Sequence, residues 1–223
     1  MTEGTNKERK RPAYQIEPTH LVEGIMQRGH IMPWELLRIV SWKSAKGVAW
    51  LSLNSEAIIK EVTSETIEVL NSWPGPQNVL LSDMGSHHWD IWQETAAEAI
   101  GSDTRHSSDG VAKGLLRLDG VGYPVATAIL GVLKPEVFPV MDKWAVETIF
   151  GVGSSKKQWQ RSAVYRVYAE RLVKPDCRAL EEIPTLRARD QAAMNAAMKP
   201  SVYADLVDGY KPIPFPSTKP KAK

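Results

Sequence analysis

Two helix-forming segments of this chain meet at a Gly-Val-Gly turn with almost no connecting chain, within the most specific stretch of the sequence. Gly120 and Gly122 flank a single residue, Val121, and glycine tolerates positive φ and lets two backbones approach closely. Pro124 then fixes the first turn of a helix that continues to about Leu133. The turn therefore predicts a tight helical hairpin with unpaired backbone N–H groups at a helix N-terminus.

Helical periodicity dominates the rest of the chain, and strand signals are poor. The helix after the turn has the cleanest period, with apolar side chains at Val125, Ala128, Ile129, Val132 and Leu133. That spacing predicts a core-facing helix. Further helices are expected over Pro18–Arg28, from Pro33, from a cap at Asn54 or Ser55, and over Trp89–Ile100, Ser107–Leu118, Asp142–Phe150, Gln158–Leu172 and Thr185–Met198. We predict an all-α fold of about nine or ten short helices.

Two details of this pattern are specific enough to check. Leu36, Leu37 and Val40 are predicted to share one buried face of the helix that Pro33 opens. The stretch from Trp73 to Trp89 contains two prolines and two glycines and predicts a long loop.

Composition narrows the class of protein. The chain has 223 residues, of which 43% are hydrophobic and 24% charged, as in globular domains. Its single cysteine, Cys177, excludes a disulfide framework and a four-cysteine iron–sulfur cluster. No apolar run approaches the roughly 18 residues of a membrane span, and the polar N-terminus lacks a signal-peptide core. We expect a soluble cytoplasmic protein without a membrane partner or a cofactor.

Positive charge is concentrated at the two ends. The net charge is +2, residues 1–12 and 211–223 together carry +6, and residues 13–210 carry −4. We predict two basic tails, the second rich in proline, around one helical domain at 13–210. Basic tails can hold nucleic acid loosely through phosphate contacts or simply keep a chain soluble, and both interpretations stay open.

The segment Leu115–Trp144 resembles the helix-hairpin-helix DNA glycosylases, the superfamily of endonuclease III and the 3-methyladenine glycosylases. The matching features are Leu-x-x-Leu-x-Gly-Val-Gly, the apolar helix with Ala126, and Asp142 behind Phe138-Pro139-Val140. The resemblance implies two lobes around a cleft, a hairpin motif at 109–133 and an aspartate-bearing helix at 142–150. It further implies that Gly120, Val121, Gly122 and Tyr123 grip the backbone of double-stranded DNA while Asp142 acts on a flipped-out base.

Two departures from the family pattern restrict the expected chemistry. Glycosylases that also cleave the strand have a lysine two residues after the second hairpin glycine, where this chain has Pro124. Trp144 stands where a histidine often follows the aspartate. The resemblance therefore implies a monofunctional enzyme that removes a base with water and leaves an abasic site.

A catalytic role of Asp142 is also supported by a physical argument that does not depend on the resemblance. Base excision develops positive charge on the sugar, and a fixed carboxylate stabilises that charge. A carboxylate at a helix start is favoured in its charged form by backbone N–H groups and the helix dipole. Aspartate is equally a preferred helix N-cap, so a purely structural role remains an alternative.

Other candidates carry weaker signals. Trp144 is the first choice for an aromatic wall of a base pocket because it lies close to Asp142 in sequence, and Trp42 and Trp89 are further guesses. Lys43 and Lys46 flank Ser44 at a helix end, where they would meet phosphate or complement the helix dipole.

The pair His87 and His88 lacks the i, i+4 spacing of helical zinc ligands. A solvated loop explains this pair better than a metal site, and we expect no metal.

Three functions remain open at the level of the sequence. The first is a monofunctional DNA glycosylase of base excision repair. The second is a non-catalytic hairpin module that binds DNA within a larger DNA-processing or defence assembly, which the acidic body of the chain favours. The third is a helical protein-interaction domain that never contacts DNA.

Overall fold

The computed structural model describes residues 17–73, 84–101, 112–151 and 162–198, and these ranges contain helices and no strand. Their ten α-helices are α1 (Val22–Arg28), α2 (Pro33–Lys43), α3 (Ala45–Leu51), α4 (Glu56–Ser72), α5 (Ser86–Ile100), α6 (Tyr123–Leu133), α7 (Lys143–Phe150), α8 (Ser162–Val173), α9 (Arg178–Glu181) and α10 (Leu186–Met198). Short 3-10 helices occur at Thr19–Leu21 and Gly114–Arg117. The predicted all-α fold is confirmed. The two basic tails and residues 107–111, which belong to the expected helix Ser107–Leu118, lie outside the described ranges.

Local sequence signals set several helix starts where they were expected. Pro33 is the first residue of α2, in agreement with the preference of proline for the first turn. Ser55 caps α4, since its hydroxyl accepts a hydrogen bond from the backbone N–H of Ile58 at 3.3 Å. Asp142 caps α7, and Gly151 ends it. Each signal acts within four residues of the chain, so the sequence alone suffices to place it.

The helix α6 lies at the centre of the described fold. Its predicted apolar stripe is buried, and so are Ala126, Thr127 and Leu130 on its other faces. Helices α1, α2 and α5 pack against it. On the side of α6 that faces Val140, position 131 must be glycine, because a Cβ there would lie 2.6 Å from Val140 Cγ2. The periodicity identified the helix, whereas burial on all sides follows from its neighbours.

Three sequence predictions are wrong in detail. Leu37 is 42% exposed, and Ile39 is buried in its place beside Leu36 and Val40. A helix was expected over Ser107–Leu118, but its described part contains only a short 3-10 helix at Gly114–Arg117. His87 and His88 lie in the first turn of α5, where both are exposed, and not in a loop.

Across residues 17–73, 84–101, 112–151 and 162–198, no helix combines the length and the hydrophobicity that a bilayer crossing requires.

The hairpin turn is held in place by close backbone contact with α3. Gly120 has φ +83°, and a Cβ on it would lie 2.4 Å from the carbonyl oxygen of Gly47 and 2.9 Å from the backbone nitrogen of Leu51. Asn54 secures the same turn, since its side chain donates to the carbonyl of Asp119 and accepts from the N–H of Asp119, both at 2.9 Å. Glycine at 120 is thus required by backbone conformation and by packing together.

We expect Gly120→Ala to lower the free energy of unfolding by about 2 kcal/mol or more, because the new Cβ combines strain at positive φ with backbone overlap. Urea unfolding followed by tryptophan fluorescence measures the loss. Gly24→Ala is the matched control: Gly24 lies inside α1 with no atom within 4 Å of its would-be Cβ. That control should be neutral or stabilising by up to about 1 kcal/mol. Equal stability of the two variants would contradict the packing described here.

Candidate functional site

The segment from Val137 to Asp142, which joins α6 to α7, is buried non-helical backbone held by side chains. Its backbone polar groups cannot pair within a helix, and buried groups of this kind need partners elsewhere. Trp92 on α5 donates its indole N–H to the carbonyl of Val137 at 3.0 Å. Tyr165 on α8 donates its hydroxyl to the carbonyl of Pro139 at 2.7 Å.

The last two residues before Asp142 are held in the same way. The N–H of Val140 donates to Asp190 Oδ2 on α10 at 3.0 Å. The N–H of Met141 donates to the hydroxyl of Thr127 on α6 at 3.2 Å, and that hydroxyl also lies 3.3 Å from the carbonyl oxygen of Met141. Four helices, α5, α6, α8 and α10, therefore fix the approach to Asp142.

Asp142 is buried, with 8% of the residue exposed, and both carboxylate oxygens are engaged. Oδ1 accepts a hydrogen bond from the N–H of Ala145 at 2.9 Å, which caps α7. Oδ2 accepts a hydrogen bond from Lys43 Nζ at 3.1 Å. The carboxylate thus lies at the positive end of the α7 dipole and beside an ammonium group from α2.

Lys43 is the last residue of α2, and 11% of its side chain is exposed. Burial lowers the pKa of its amine, because the charged form loses hydration. Asp142 and, more weakly, Asp190 act in the opposite direction, and Arg187 adds to the lowering. The result is a buried amine whose pKa lies below that of a surface lysine.

A second buried carboxylate lies behind the first. Asp190 is 1% exposed, accepts the hydroxyl of Tyr168 at 2.5 Å and forms an ion pair with Arg187. Burial raises its pKa to about 6, against the lowering effect of Arg187. Arg187 also pairs with Glu17 at 2.8 Å, and its guanidinium lies 5.3 Å from the ring centroid of Trp42 on α2. Asp190 therefore links α10 to α8 and, through Arg187, to the end of α2.

The N-terminus of α6, at the hairpin, is open. Gly122 is its N-cap with φ −90°, and a Cβ built there would meet only Pro124 Cδ, at 3.9 Å. In the part of the chain that the structure describes, the N–H groups of Gly122 and Tyr123 donate to no protein acceptor. The conformation of the chain therefore does not require glycine at 122, and two backbone donors remain available at this point.

The other predicted site residues have different surroundings. The side chain of Tyr123 is buried against Tyr165, with ring centroids 6.3 Å apart, so its ring and hydroxyl are not accessible to a ligand and only its backbone N–H is. Trp144 is half-buried, and the ammonium of Lys143 lies 5.1 Å from its ring centroid. Trp89 is 5% exposed within the core and offers no stacking surface.

One rigid element connects the two predicted functional features. Gly122 begins α6, and Thr127, which binds Met141, lies five residues later, or about 7.5 Å along the helix axis. The hairpin donors and the Asp142 segment are thus held on the first one and a half turns of the same buried helix. Among the described residues, no group of three or more His, Cys, Asp or Glu side chains is placed to hold a metal ion.

No protein-family model, no curated protein and no solved structure matches this chain. Function is therefore inferred from the geometry of this site and from its chemistry.

Several residues of this site were missed by the sequence analysis. Lys43 was considered only as a phosphate or dipole contact, and Asp190, Thr127 and Tyr165 were not singled out at all. Lys43 and Asp142 are 99 residues apart, and Val140 and Asp190 are 50 apart. No local spacing predicts such contacts, because they form only when the end of α2 lies beside Asp142 and α10 packs against α7.

Asp190 predicts a distinctive pH dependence of stability. Because its pKa rises from 3.8 to about 6 on folding, the folded state binds this proton more tightly than the unfolded state does. Its contribution to the free energy of unfolding therefore falls as pH rises from about 4 to about 6, by roughly 2 kcal/mol. The difference in unfolding free energy between the parent and Asp190→Asn should decrease by that amount across this window.

The measurement is urea unfolding at several pH values for the parent and Asp190→Asn. Asp90→Asn is the control, since Asp90 is an aspartate on α5 with 59% of its side chain exposed. A flat difference for Asp190→Asn would mean that this carboxyl titrates at its ordinary pH.

Proposed function

We propose that this chain binds double-stranded DNA and hydrolyses the N-glycosidic bond of a damaged or modified base, as a divergent helix-hairpin-helix glycosylase of base excision repair. The observation that carries the proposal is the arrangement around α6. This helix presents the open hairpin donors at its first residues and, through Thr127, holds the segment that ends in Asp142.

The hairpin is suited to a phosphate group. The N–H groups of Gly122 and Tyr123 are unpaired in the described structure, and they lie at the positive end of the α6 dipole. Such donors bind a phosphate oxygen without recognising any base. Gly122 is exposed, and in the described structure only Pro124 Cδ, at 3.9 Å, lies within 4 Å of its would-be Cβ, which leaves room for the phosphate to approach.

In the proposed reaction, the carboxylate of Asp142 provides electrostatic stabilisation. When the bond to the base breaks, positive charge develops on the sugar, and a preorganised carboxylate stabilises it without first having to reorient. The side chains that hold residues 137–141 provide this preorganisation. Water then adds to the sugar carbon, and the product is an abasic site.

The base itself must leave the stack before its bond can be cleaved. Enzymes of this type flip the nucleotide and hold the base against aromatic or apolar side chains. Trp144, half-buried two residues after Asp142, is the proposed wall of the base pocket.

A second candidate is a non-catalytic DNA-binding module of a larger DNA-processing or defence assembly. The observation that favours it is the engagement of both Asp142 oxygens, one as a helix cap and one in the pair with Lys43. In that case the carboxylate stabilises the junction of α2 and α7 and does no chemistry.

A third candidate is a protein-interaction domain that does not contact DNA. Large apolar side chains are exposed at Trp34 and Leu37 on α2, at Trp50 on α3 and at Leu53 just after it. Exposed apolar surface of this kind can serve a protein partner.

We expect Asp142→Asn to reduce base release by about 100-fold or more, because it removes the charge opposite the sugar cation. Asparagine is also a good N-cap, so the start of α7 should persist. The substrate is duplex DNA carrying alkylated, oxidised and deaminated bases, and freed bases are identified by mass. Asp90→Asn, the same chemical change at an exposed position, should leave release unchanged.

The outcomes separate the three candidates. Loss of release only in Asp142→Asn supports the glycosylase and identifies its base. If no protein releases a base but all shift the duplex, the chain is a binding module and Asp142 is a helix cap. Neither release nor binding would leave the protein-interaction domain.

We expect Gly122→Ala to weaken binding to undamaged duplex DNA about tenfold, because the new methyl group occupies the path of the phosphate. Gly85→Ala is the matched control. Gly85 is also an exposed N-cap with extended backbone and no atom within 4 Å of its would-be Cβ, but it begins α5. Both variants bear the same cost of a poorer cap, so only the DNA contact distinguishes them.

Binding is measured by fluorescence anisotropy over a range of salt concentrations. Affinity of the parent should fall as salt increases, since phosphate contacts release counterions. If Gly122→Ala and Gly85→Ala bind equally well, the hairpin is not the phosphate contact.

A further inference from the structure

Lys43 is a buried amine that the proposed hydrolysis does not use. Its Nζ lies 3.1 Å from Asp142 Oδ2, and only 11% of its side chain and 12% of that of Asp142 are exposed. The amine therefore stands at the carboxylate that faces the sugar in the proposed function. A lysine needed only for solubility or for a surface charge pair would not be buried here.

The surroundings of Lys43 favour reactivity. Loss of hydration lowers the pKa of the amine even though Asp142 and Asp190 lie nearby. A desolvated lysine with a lowered pKa is the usual amine nucleophile toward carbonyl carbon. The product of glycosidic hydrolysis in DNA is an abasic sugar, whose open-chain form has an aldehyde at C1′. In the proposed complex, the amine of Lys43 and the C1′ aldehyde would therefore both lie beside Asp142.

We propose that Lys43 forms a Schiff base with C1′ of an abasic site and cleaves the DNA strand on its 3′ side. This inference rests on the proposed function for the presence of a sugar at Asp142. It also departs from the monofunctional enzyme predicted from the sequence. That prediction considered only the hairpin position, where Pro124 has no amine, whereas Lys43 reaches Asp142 from α2.

The chemistry needs no oxidant, reductant or metal. The ammonium of Lys43 first passes a proton to Asp142 or solvent, and the nitrogen lone pair then attacks the C1′ aldehyde carbon. The carbonyl oxygen leaves as water and the C1′–Nζ iminium forms. Loss of a C2′ proton to a neighbouring base or to water leads to breakage of the C3′–O bond, and the 3′ phosphate leaves with the electron pair. Hydrolysis of the iminium returns the amine and releases an unsaturated aldehyde end.

Lys143 provides a matched comparison. It directly follows Asp142 in the chain, but 58% of its side chain is exposed and its Nζ pairs with Glu147 at 3.5 Å. It is thus a lysine of similar position with a hydrated amine. Lys43→Arg keeps a positive charge beside Asp142 but removes the nucleophile, since a guanidinium does not lose its proton.

The experiment uses a duplex with one preformed abasic site, so it does not require knowledge of the damaged base. The full-length parent, Lys43→Arg and Lys143→Arg are incubated with this duplex and sodium borohydride, which reduces an iminium to a stable secondary amine. We expect the parent and Lys143→Arg to form a covalent adduct and Lys43→Arg to form about tenfold less or none. Peptide mapping of the parent adduct should place the modification on Lys43.

The mapping keeps the inference testable even if Lys43→Arg fails to fold. An adduct on a tail lysine or on Lys143, or no adduct at all, overturns the inference. Base release by the parent without any adduct leaves the proposed glycosylase intact and removes only the strand-cleaving step. An adduct on Lys43 without base release from any damaged duplex supports the inference at an abasic sugar and counts against the glycosylase.

Discussion

Buried non-helical backbone must have its polar groups satisfied, and in this protein that requirement organises the residues around Asp142. The stretch 137–141 lies inside the described all-helical fold, where its carbonyl groups accept hydrogen bonds from an indole and a phenol and its N–H groups donate to a hydroxyl and a carboxylate, on four different helices. Loss of any one partner would leave a buried N–H or C=O unpaired, at a cost of about 1–3 kcal/mol. The segment is consequently rigid, and so is the position of the side chain that follows it.

Two buried carboxylates lie at the end of this segment, and each is compensated by a different cation. Asp142 pairs with Lys43 from α2, while Asp190 pairs with Arg187 from its own helix. Buried ion pairs contribute little net stability once desolvation is included, so stability alone is a weak reason for placing both pairs here. Removing one partner of such a pair leaves an uncompensated buried group, which is costly, so each cation is needed where its carboxylate is buried.

The two glycines of the hairpin have different physical roles. Gly120 adopts positive φ and touches the backbone of α3, so the fold itself requires it. Gly122 has an ordinary backbone conformation and open space around it, so neither its φ angle nor its packing requires glycine. The two glycines of the Gly-Val-Gly turn are thus alike in sequence but different in structure, since Gly120 packs against α3 and Gly122 is exposed.

The sequence by itself determined the helical class, the start of α2 at Pro33, the apolar helix α6 and the cap at Asp142, because proline, capping side chains and apolar period act over a few residues. It could not determine that Leu37 faces solvent, since that depends on which neighbours cover α2. Nor could it place Lys43 against Asp142 or Asp190 against Val140. Those contacts join residues 99 and 50 positions apart, and they form only because the end of α2 lies beside Asp142 and α10 packs against α7. Asp142 could therefore be identified from the residues next to it in the chain. Its partners, its fixed position and the amine beside it depend on the tertiary structure.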